Sequence, residues 1–177
     1  MNSIKQIEVI YNNRLVGRLA LTREGLCAFE YSAEWLSSGF SISPFELPLR
    51  SGVFIAKPRP FEGGFGVFDD CLPDGWGLLI LDRYLQQKGI NPRTLTLLDR
   101  LALVGSTGRG ALEFRPDNSV VTRQDFADFE KLALEAEKIL ASDDYMGEGI
   151  EEFQDRGGSP GGARPKIFVR SNDKEWL

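Results

Sequence analysis

A glycine-rich stretch near the end of the chain constrains the fold more than any other feature. It reads Arg156-Gly157-Gly158-Ser159-Pro160-Gly161-Gly162-Ala163-Arg164-Pro165-Lys166 and leads into the apolar segment 167–169. Residues without bulky side chains let backbone N–H groups approach phosphate oxygens, and a lysine at the rim supplies positive charge. The pattern therefore predicts a phosphate-binding loop that feeds a strand.

The loop matches neither of the two standard phosphate-loop patterns. A Walker loop ends in Gly-Lys-Ser or Gly-Lys-Thr and opens a helix, and a Rossmann turn also opens a helix. Here Lys166 precedes the strand predicted at 167–169. A glycine loop bounded by strands is the arrangement of protein kinases, in which it covers the nucleotide phosphates. The alternative is a turn that binds nothing, with Arg156, Arg164 and Lys166 as solvated surface cations.

Composition excludes several classes of function. None of the 177 residues is histidine, which removes the usual general base and the commonest zinc ligand. Serine–histidine triads and zinc hydrolase sites are therefore excluded within this chain. The net charge of −5 opposes direct binding to a phosphate backbone, so we expect any contact with DNA to be indirect, through a partner.

The chain reads as a cytoplasmic protein without a membrane segment. No apolar run approaches the length that spans a bilayer, and the N-terminus alternates instead of forming a signal-peptide core. The only cysteines are Cys27 and Cys71. Because both have apolar neighbours, we expect two free, buried thiols rather than a disulfide.

Hydrophobic periodicity predicts an α+β fold with a small, mainly antiparallel N-terminal sheet and two helices. Alternating apolar residues over 6–31 predict a three-stranded meander, and 53–55 is a further strand candidate. We expect the first helix to be capped by Asp74 and to end at Gly89. The second is expected to follow Asn91-Pro92, with the proline at its first position.

A returning strand is predicted at 108–114, and the loop at 116–119 marks a boundary. The predicted domains are therefore 1–116 and 120–177. Thr122 and Asp125 have capping-box spacing, and the residues after them predict an amphipathic helix. Its apolar stripe consists of Phe129, Leu132, Ala133, Ala136, Ile139 and Leu140. The acidic excess of this region indicates a solvated helix face or, alternatively, a docking surface for a basic partner.

Two further clusters allow a functional and a structural interpretation. Asp69, Asp70 and Asp74 are close enough in sequence to hold a divalent ion or to share acid–base work. We favour the structural interpretation, with Asp74 as a helix cap. The turn at 105–110, Gly-Ser-Thr-Gly-Arg-Gly, is suited to an anion, and we favour a plain loop before a strand.

Several short strings occur in an order that resembles a known family. They are Val16-Gly17-Arg18-Leu19, Phe29-Glu30-Tyr31, Trp35-Leu36, Ile42-Ser43-Pro44, Leu47-Pro48-Leu49, Leu72-Pro73-Asp74-Gly75-Trp76-Gly77, Gly110-Ala111-Leu112 and the glycine loop. The chain resembles the HipA family of bacterial toxin-antitoxin serine/threonine kinases over nearly its whole length. The Leu-Pro-Asp-Gly-Trp and Gly-Gly-Ala-Arg-Pro-Lys strings are the most specific.

The resemblance implies an N-terminal subdomain followed by the start of a kinase-like lobe, with ATP and Mg²⁺ as cofactors of the complete kinase. The family's nucleotide-binding loop matches Gly161, Gly162, Ala163, Arg164, Pro165 and Lys166. Ser159 falls at the serine that the family autophosphorylates to eject the loop. The implied partners are a helix-turn-helix antitoxin of the HipB type, which represses the operon, and a protein substrate such as an aminoacyl-tRNA synthetase. The implied outcome is dormancy or drug tolerance.

The chain also departs from the family pattern. In relatives, the ATP-gripping lysine, the catalytic aspartate and the metal ligands follow the loop, whereas this chain ends at Leu177. We therefore expect no catalytic residue and no metal site within it, and no activity from the chain alone. It is expected to be a fragment of a longer kinase, a natural truncation or one half of a split system. The alternative is a non-catalytic module that binds a separately encoded kinase or antitoxin.

Overall fold

The computed structural model describes residues 4–108, 110–119, 129–142, 145, 147, 149–157 and 162–166. The chain splits into two compact units. Met1–Leu72 and Leu95–Ser119 belong to the first unit, and Pro73–Thr94 and Val120–Leu177 belong to the second. The division into family domains at 1–116 and 120–177 stays a prediction. The compact units differ from it in one respect, because 73–94 belongs to the second unit.

Five strands form one antiparallel sheet in the first unit. They are β1 (Gln6–Tyr11), β2 (Arg14–Leu21), β3 (Cys27–Tyr31), β4 (Val53–Ile55) and β5 (Glu113–Arg115), in the spatial order β4-β3-β2-β1-β5. Asn12 and Asn13 join β1 to β2 with φ values of 46° and 59°. Two positive φ values suit the short hairpin turn that matches the twist of the strands. The predicted meander and the strand at 53–55 are confirmed.

The described residues also form six α-helices and one 3-10 turn. These are α1 (Ala33–Ser38), α2 (Gly66–Asp69), α3 (Gly75–Gln87), the 3-10 turn Pro92–Thr94, α4 (Leu97–Val104), α5 (Phe129–Ala141) and α6 (Gly149–Gly157). The α+β fold class is thereby confirmed. Among the described residues, none of the helices combines the length and the apolar run needed to cross a membrane.

The core of the first unit lies on one face of the sheet. Ile7 is opposite Leu19, and Leu19 is opposite Phe29, and all three side chains are buried. Gly17 lies in the same strand as Leu19, where an added Cβ would come within 2.7 Å of Cζ of Phe29. A glycine in β2 therefore makes room for the Phe29 ring. Leu98 and Leu101 of α4 join this core.

The helix expected from Pro92 begins five residues later. Pro92 opens only the 3-10 turn, and the α-helix starts at Leu97. The side chain of Thr96 accepts from the backbone N–H of Asp99, whose carboxylate accepts from the backbone N–H of Thr96. This reciprocal capping box satisfies two donors at once and fixes the start of α4. The predicted second helix is therefore present as α4, but its predicted start at Pro92 was wrong.

The second unit is helical in its described part. Its core consists of Trp76 and Ile80 from α3, Leu132, Ala136 and Ile139 from α5, and Ile150 and Phe153 from α6. Gly89 follows α3 with φ 72°. Its N–H donates to the carbonyl of Gln86, and the N–H of Ile90 donates to that of Leu85. These two bonds form a Schellman motif, which confirms the predicted role of Gly89.

Two predicted elements need correction. The strand expected at 108–114 is only Glu113–Arg115. Of the apolar stripe predicted for α5, Leu132, Ala136 and Ile139 are buried, whereas Ala133 is exposed and Leu140 is 56% exposed. The buried stripe is narrower than predicted, because residues 132, 136 and 139 are spaced three and four apart and already form one face of the helix. The predicted start at Thr122 and the strand at 167–169 lie outside the described residues.

Candidate functional site

The described part of the glycine loop is Gly162–Lys166. Gly162, Ala163 and Arg164 are exposed, and Pro165 and Lys166 are half-buried. Gly162 has φ 83°, and an added Cβ there would lie 3.3 Å from the Nζ atom of Lys166. The turn at Gly162 therefore brings the Lys166 ammonium next to the exposed backbone. The predicted site residues Ser159 and Gly161 lie outside the described residues.

The loop contacts the start of α3 within the second unit. The backbone N–H of Trp76 donates to the carbonyl oxygen of Gly162 at 2.9 Å. An added Cβ at Gly75 would lie 2.5 Å from the carbonyl carbon of Gly162 and 2.9 Å from the N atom of Ala163. The most specific strings of the sequence therefore meet here, through Gly75-Trp76 and Gly162-Ala163.

No sequence pattern indicates that these two segments meet. The only signal was that both strings contain glycine, and a glycine can mark a close approach between two backbones. Such a signal does not identify the partner segment, because 19 of the 177 residues are glycine. The residues that the sequence analysis missed as part of the site are Gly75 and Trp76.

Asp74 occupies the N-cap position of α3, as predicted, but not with the predicted contact. Its backbone is extended (φ −119°, ψ 168°), and its side chain makes no capping hydrogen bond. An N-cap side chain normally accepts from the second or third N–H of the helix. Here the second N–H, that of Trp76, donates to the Gly162 carbonyl. The prediction that the Asp74 side chain caps α3 was therefore wrong.

The Trp76 side chain connects this contact to the core of the second unit. Only 1% of the residue is exposed, and its ring packs edge-on against that of Phe153 in α6, with 5.3 Å between the centroids. Its indole N–H has no hydrogen-bond acceptor among the described residues. Trp76 therefore contributes packing here, and its backbone N–H rather than its indole N–H binds the loop.

The turn at 105–110 does hold an anionic group, which belongs to the protein itself. The backbone N–H of Ser106 donates to the Asp117 carboxylate at 3.0 Å, and Ser119 donates to the same carboxylate through its N–H and its hydroxyl. Burial alone would raise the pKa of Asp117, but the hydrogen bonds from Ser106 and Ser119 outweigh it and lower that pKa. The Ser106 N–H therefore binds a carboxylate of the first unit itself, and not an external anion.

The aspartates that suggested a metal site have structural positions. Asp69 is the last residue of α2, and Asp70 follows it as the C-cap. Burial, with smaller contributions from the charges of Asp70 and Glu62, raises the pKa of Asp69. Among the described residues, no group of three or more carboxylate or cysteine side chains could hold a metal ion.

Both cysteines are free thiols, as predicted, but only Cys27 is buried, whereas Cys71 is half-buried. Burial raises the pKa of Cys27 to about 11. Burial, assisted by the charge of Asp70, raises the pKa of Cys71 to about 11 as well. Since the thiolate is the reactive form, neither cysteine is suited to act as a nucleophile near neutral pH.

Comparison with known proteins identifies a family and solved structures with a similar fold. The family model described as "HipA N-terminal domain" matches residues 7–115. A solved chain from the complex of the Shewanella oneidensis MR-1 toxin-antitoxin system, with HipA, HipB and operator DNA, is similar over 96% of this chain, with 21% identity and a TM-score of 0.56. This chain spans 37% of that chain's length. No curated protein is similar enough to count as a match.

Proposed function

This chain belongs to the HipA N-terminal domain family, and on that premise we propose that it is the N-terminal portion of a HipA-like serine/threonine kinase toxin. In this proposal, the glycine loop contributes to binding ATP phosphates, and the chain is inactive by itself. Lys166 supplies positive charge near the nucleotide, and Ser159 is the regulatory phosphorylation site. The Mg²⁺ ligands and the catalytic groups belong to the rest of the kinase.

The arrangement of Gly162 and Lys166 is the observation that carries this proposal. Gly162 is exposed and has no side chain, and the Lys166 ammonium lies beside it. Exposed backbone next to a fixed positive charge suits a phosphate group, which needs hydrogen-bond donors and charge neutralisation together. The family match ends at residue 115, so the nucleotide role depends on this geometry and on the resemblance of the loop.

We further propose a helix-turn-helix antitoxin of the HipB type as the partner. The structural neighbour comes from a complex that contains HipB and operator DNA. Since the net charge of this chain is −5, it would be repelled by DNA and would reach the operator only through the antitoxin. The proposed substrate is a protein, with the aminoacyl-tRNA synthetases as the first class to test.

Binding of an ATP analogue tests the role of the loop. We expect Lys166→Ala and Gly162→Val to weaken binding about tenfold or more, because a charged hydrogen bond contributes roughly 1.5–3 kcal/mol. Lys57→Ala and Gly25→Val are matched controls, since Lys57 is an exposed lysine of the first unit and Gly25 also has a positive φ (79°). Titration calorimetry of the five proteins gives the affinities. Equal affinities in all five would contradict a phosphate-binding role.

Incubation with radiolabelled ATP tests the expected inactivity. We expect no phosphate transfer to the chain itself or to an added synthetase, because electrostatic positioning by metal and carboxylates supplies most of phosphoryl transfer. Transfer by the purified chain would contradict the proposal. If the chain fails to bind the ATP analogue but binds a purified helix-turn-helix antitoxin, the non-catalytic interaction module becomes the better description.

A further inference from the structure

We propose that the first turn of α3 is the docking seat of the glycine loop, with Gly75 as the positioning residue. In this seat, the carbonyl of Gly162 serves as the N-terminal cap of α3. The inference concerns how the loop is held, and its consequence for nucleotide binding rests on the proposed function.

The first step is the capping bond. The first turn of a helix exposes N–H groups that have no partner within the helix. In α3, the Asp74 side chain does not cap the helix, and the Trp76 N–H donates to Gly162, which is remote in sequence. The N-terminus of α3 thus receives this acceptor only while the loop is docked. Docking of the loop and completion of the helix end are therefore one event.

The second step is the space at Gly75. The nearest atom that an added Cβ would meet is the carbonyl oxygen of Gly162, followed by the carbonyl carbon of Gly162 at 2.5 Å and the N atom of Ala163 at 2.9 Å. These are backbone atoms, which cannot rotate away as the end of a flexible side chain can. Gly75 also has φ 46°, a conformation that residues with a side chain rarely adopt. Any larger residue at 75 must displace the loop or strain the start of α3.

The third step is the rigidity of the seat. Trp76 is almost fully buried and packs on Phe153, so the N–H that binds the loop is fixed relative to α6. Within the loop, the Lys166 ammonium lies beside Gly162, since its Nζ atom is 3.3 Å from the position of an added Cβ there. Because the first turn of α3 holds Gly162, the seat also holds the backbone next to this ammonium. A loop that leaves the seat loses this fixed position, and we expect nucleotide affinity to fall with it.

Hydrogen exchange at the Trp76 amide tests the seat directly. An N–H at this position of a helix exchanges freely unless something outside the helix accepts it. We expect the wild-type Trp76 amide to exchange at least tenfold more slowly than in an unstructured chain. In Gly75→Ala we expect that protection to be lost, while the amides of 81–87 in the interior of α3 stay protected. Two-dimensional NMR of the full 177-residue chain measures both.

Gly89→Ala is the matched control. Gly89 follows the other end of α3 and also has a positive φ (72°), but an added Cβ there would meet nothing within 4 Å. This substitution brings the same kind of backbone strain without a loop contact, so the Trp76 amide should stay protected. Equal loss of protection in both variants would overturn the proposal. So would free exchange of Trp76 in the wild type while 81–87 remain protected, a result that needs no variant.

Addition of an ATP analogue separates this inference from the proposed function. We expect the analogue to bind Gly75→Ala about tenfold more weakly than Gly89→Ala. If the wild type does not bind the analogue but its Trp76 amide is protected, the seat stands and the nucleotide role fails. A third outcome is that the wild type, Gly75→Ala and Gly89→Ala bind the analogue equally, while the Trp76 amide is protected only in the wild type and in Gly89→Ala. In that case the seat exists but does not contribute to nucleotide binding, and the expected loss of affinity is wrong.

Discussion

Asp99 is a single residue that holds two segments of the first unit together. Its carboxylate accepts from the backbone N–H of Ile4 at 2.9 Å and from the N–H and hydroxyl of Thr96 at 2.9 and 2.7 Å. The residue itself is buried. Burial alone would raise the pKa of Asp99, but these hydrogen bonds outweigh it and lower that pKa. The ionised form is therefore favoured by the folded state.

The substitution Asp99→Asn should destabilise the protein by about 1–2 kcal/mol at pH 7, since it weakens hydrogen bonds to a buried charged group. A group whose pKa is lowered on folding stabilises above its unfolded pKa, roughly 3.9 for aspartate, and loses that contribution as the pH falls through the folded pKa. The difference between wild type and variant should thus be constant from about pH 5 to 7 and shrink below about pH 4.

Urea denaturation of both proteins across this pH range measures the difference. Asp117→Asn is the control, because the pKa of Asp117 is also lowered but the residue is exposed, so its loss should be smaller. A difference for Asp99→Asn that grows on acidification would show that the carboxylate is not favoured in the folded state.

At the scale of elements, α3 organises the second unit at both of its ends. Its first turn binds Gly162, and from its later part the Arg83 Nη1 atom donates to the carbonyl oxygen of Ile139 at 2.6 Å. Ile139 is among the last four residues of α5, whose carbonyls have no partner within the helix. A buried guanidinium at a helix C-terminus also interacts favourably with the helix dipole. Arg83 therefore caps α5 from the neighbouring helix.

We expect Arg83→Met to lower the free energy of unfolding by about 1.5–3 kcal/mol, because the substitution removes a charged hydrogen bond and leaves a buried carbonyl without it. Lys88→Met provides the contrast at the C-cap of the same helix, since it breaks the exposed ion pair with Glu151 and should cost clearly less. Chemical denaturation of the two variants gives the comparison. A larger loss for Lys88→Met than for Arg83→Met would contradict the capping role.

Elements with a local signal were predictable from the sequence, and contacts between distant segments were not. Alternation and the Asn12-Asn13 turn were enough for the meander, and Gly89 marked the end of α3. Proline is favoured at the first position of a helix, so Pro92 predicted too early a start for α4. The capping box between Thr96 and Asp99 determines the actual start. At the start of α3, Asp74 is a residue type that commonly caps helices, but the Trp76 N–H donates to the Gly162 carbonyl of the glycine loop instead. No local pattern contains that information.

At the scale of the whole molecule, we expect net charge to decide how the chain meets nucleic acid. Its net charge of −5 opposes association with the phosphate backbone. We expect the purified chain to leave the fluorescence anisotropy of a labelled operator fragment unchanged. Addition of a helix-turn-helix antitoxin that binds the operator should allow the chain to join the complex. Binding of operator DNA by the chain alone, with the usual loss of affinity in added salt, would contradict this expectation.

Because residues 73–94 interrupt the first unit in sequence, the apolar face of α3 is synthesised well before the residues that cover it. The apolar side chains of α3, Trp76 and Ile80, are covered in the finished protein by residues up to Phe153. During translation they precede Phe153 by roughly seventy residues, which at about 5–20 residues per second is a delay of several seconds. The sheet of the first unit can close once Arg115 has been made. A nascent chain at that stage carries a folded sheet and an uncovered apolar helix, which is the kind of surface that chaperones bind.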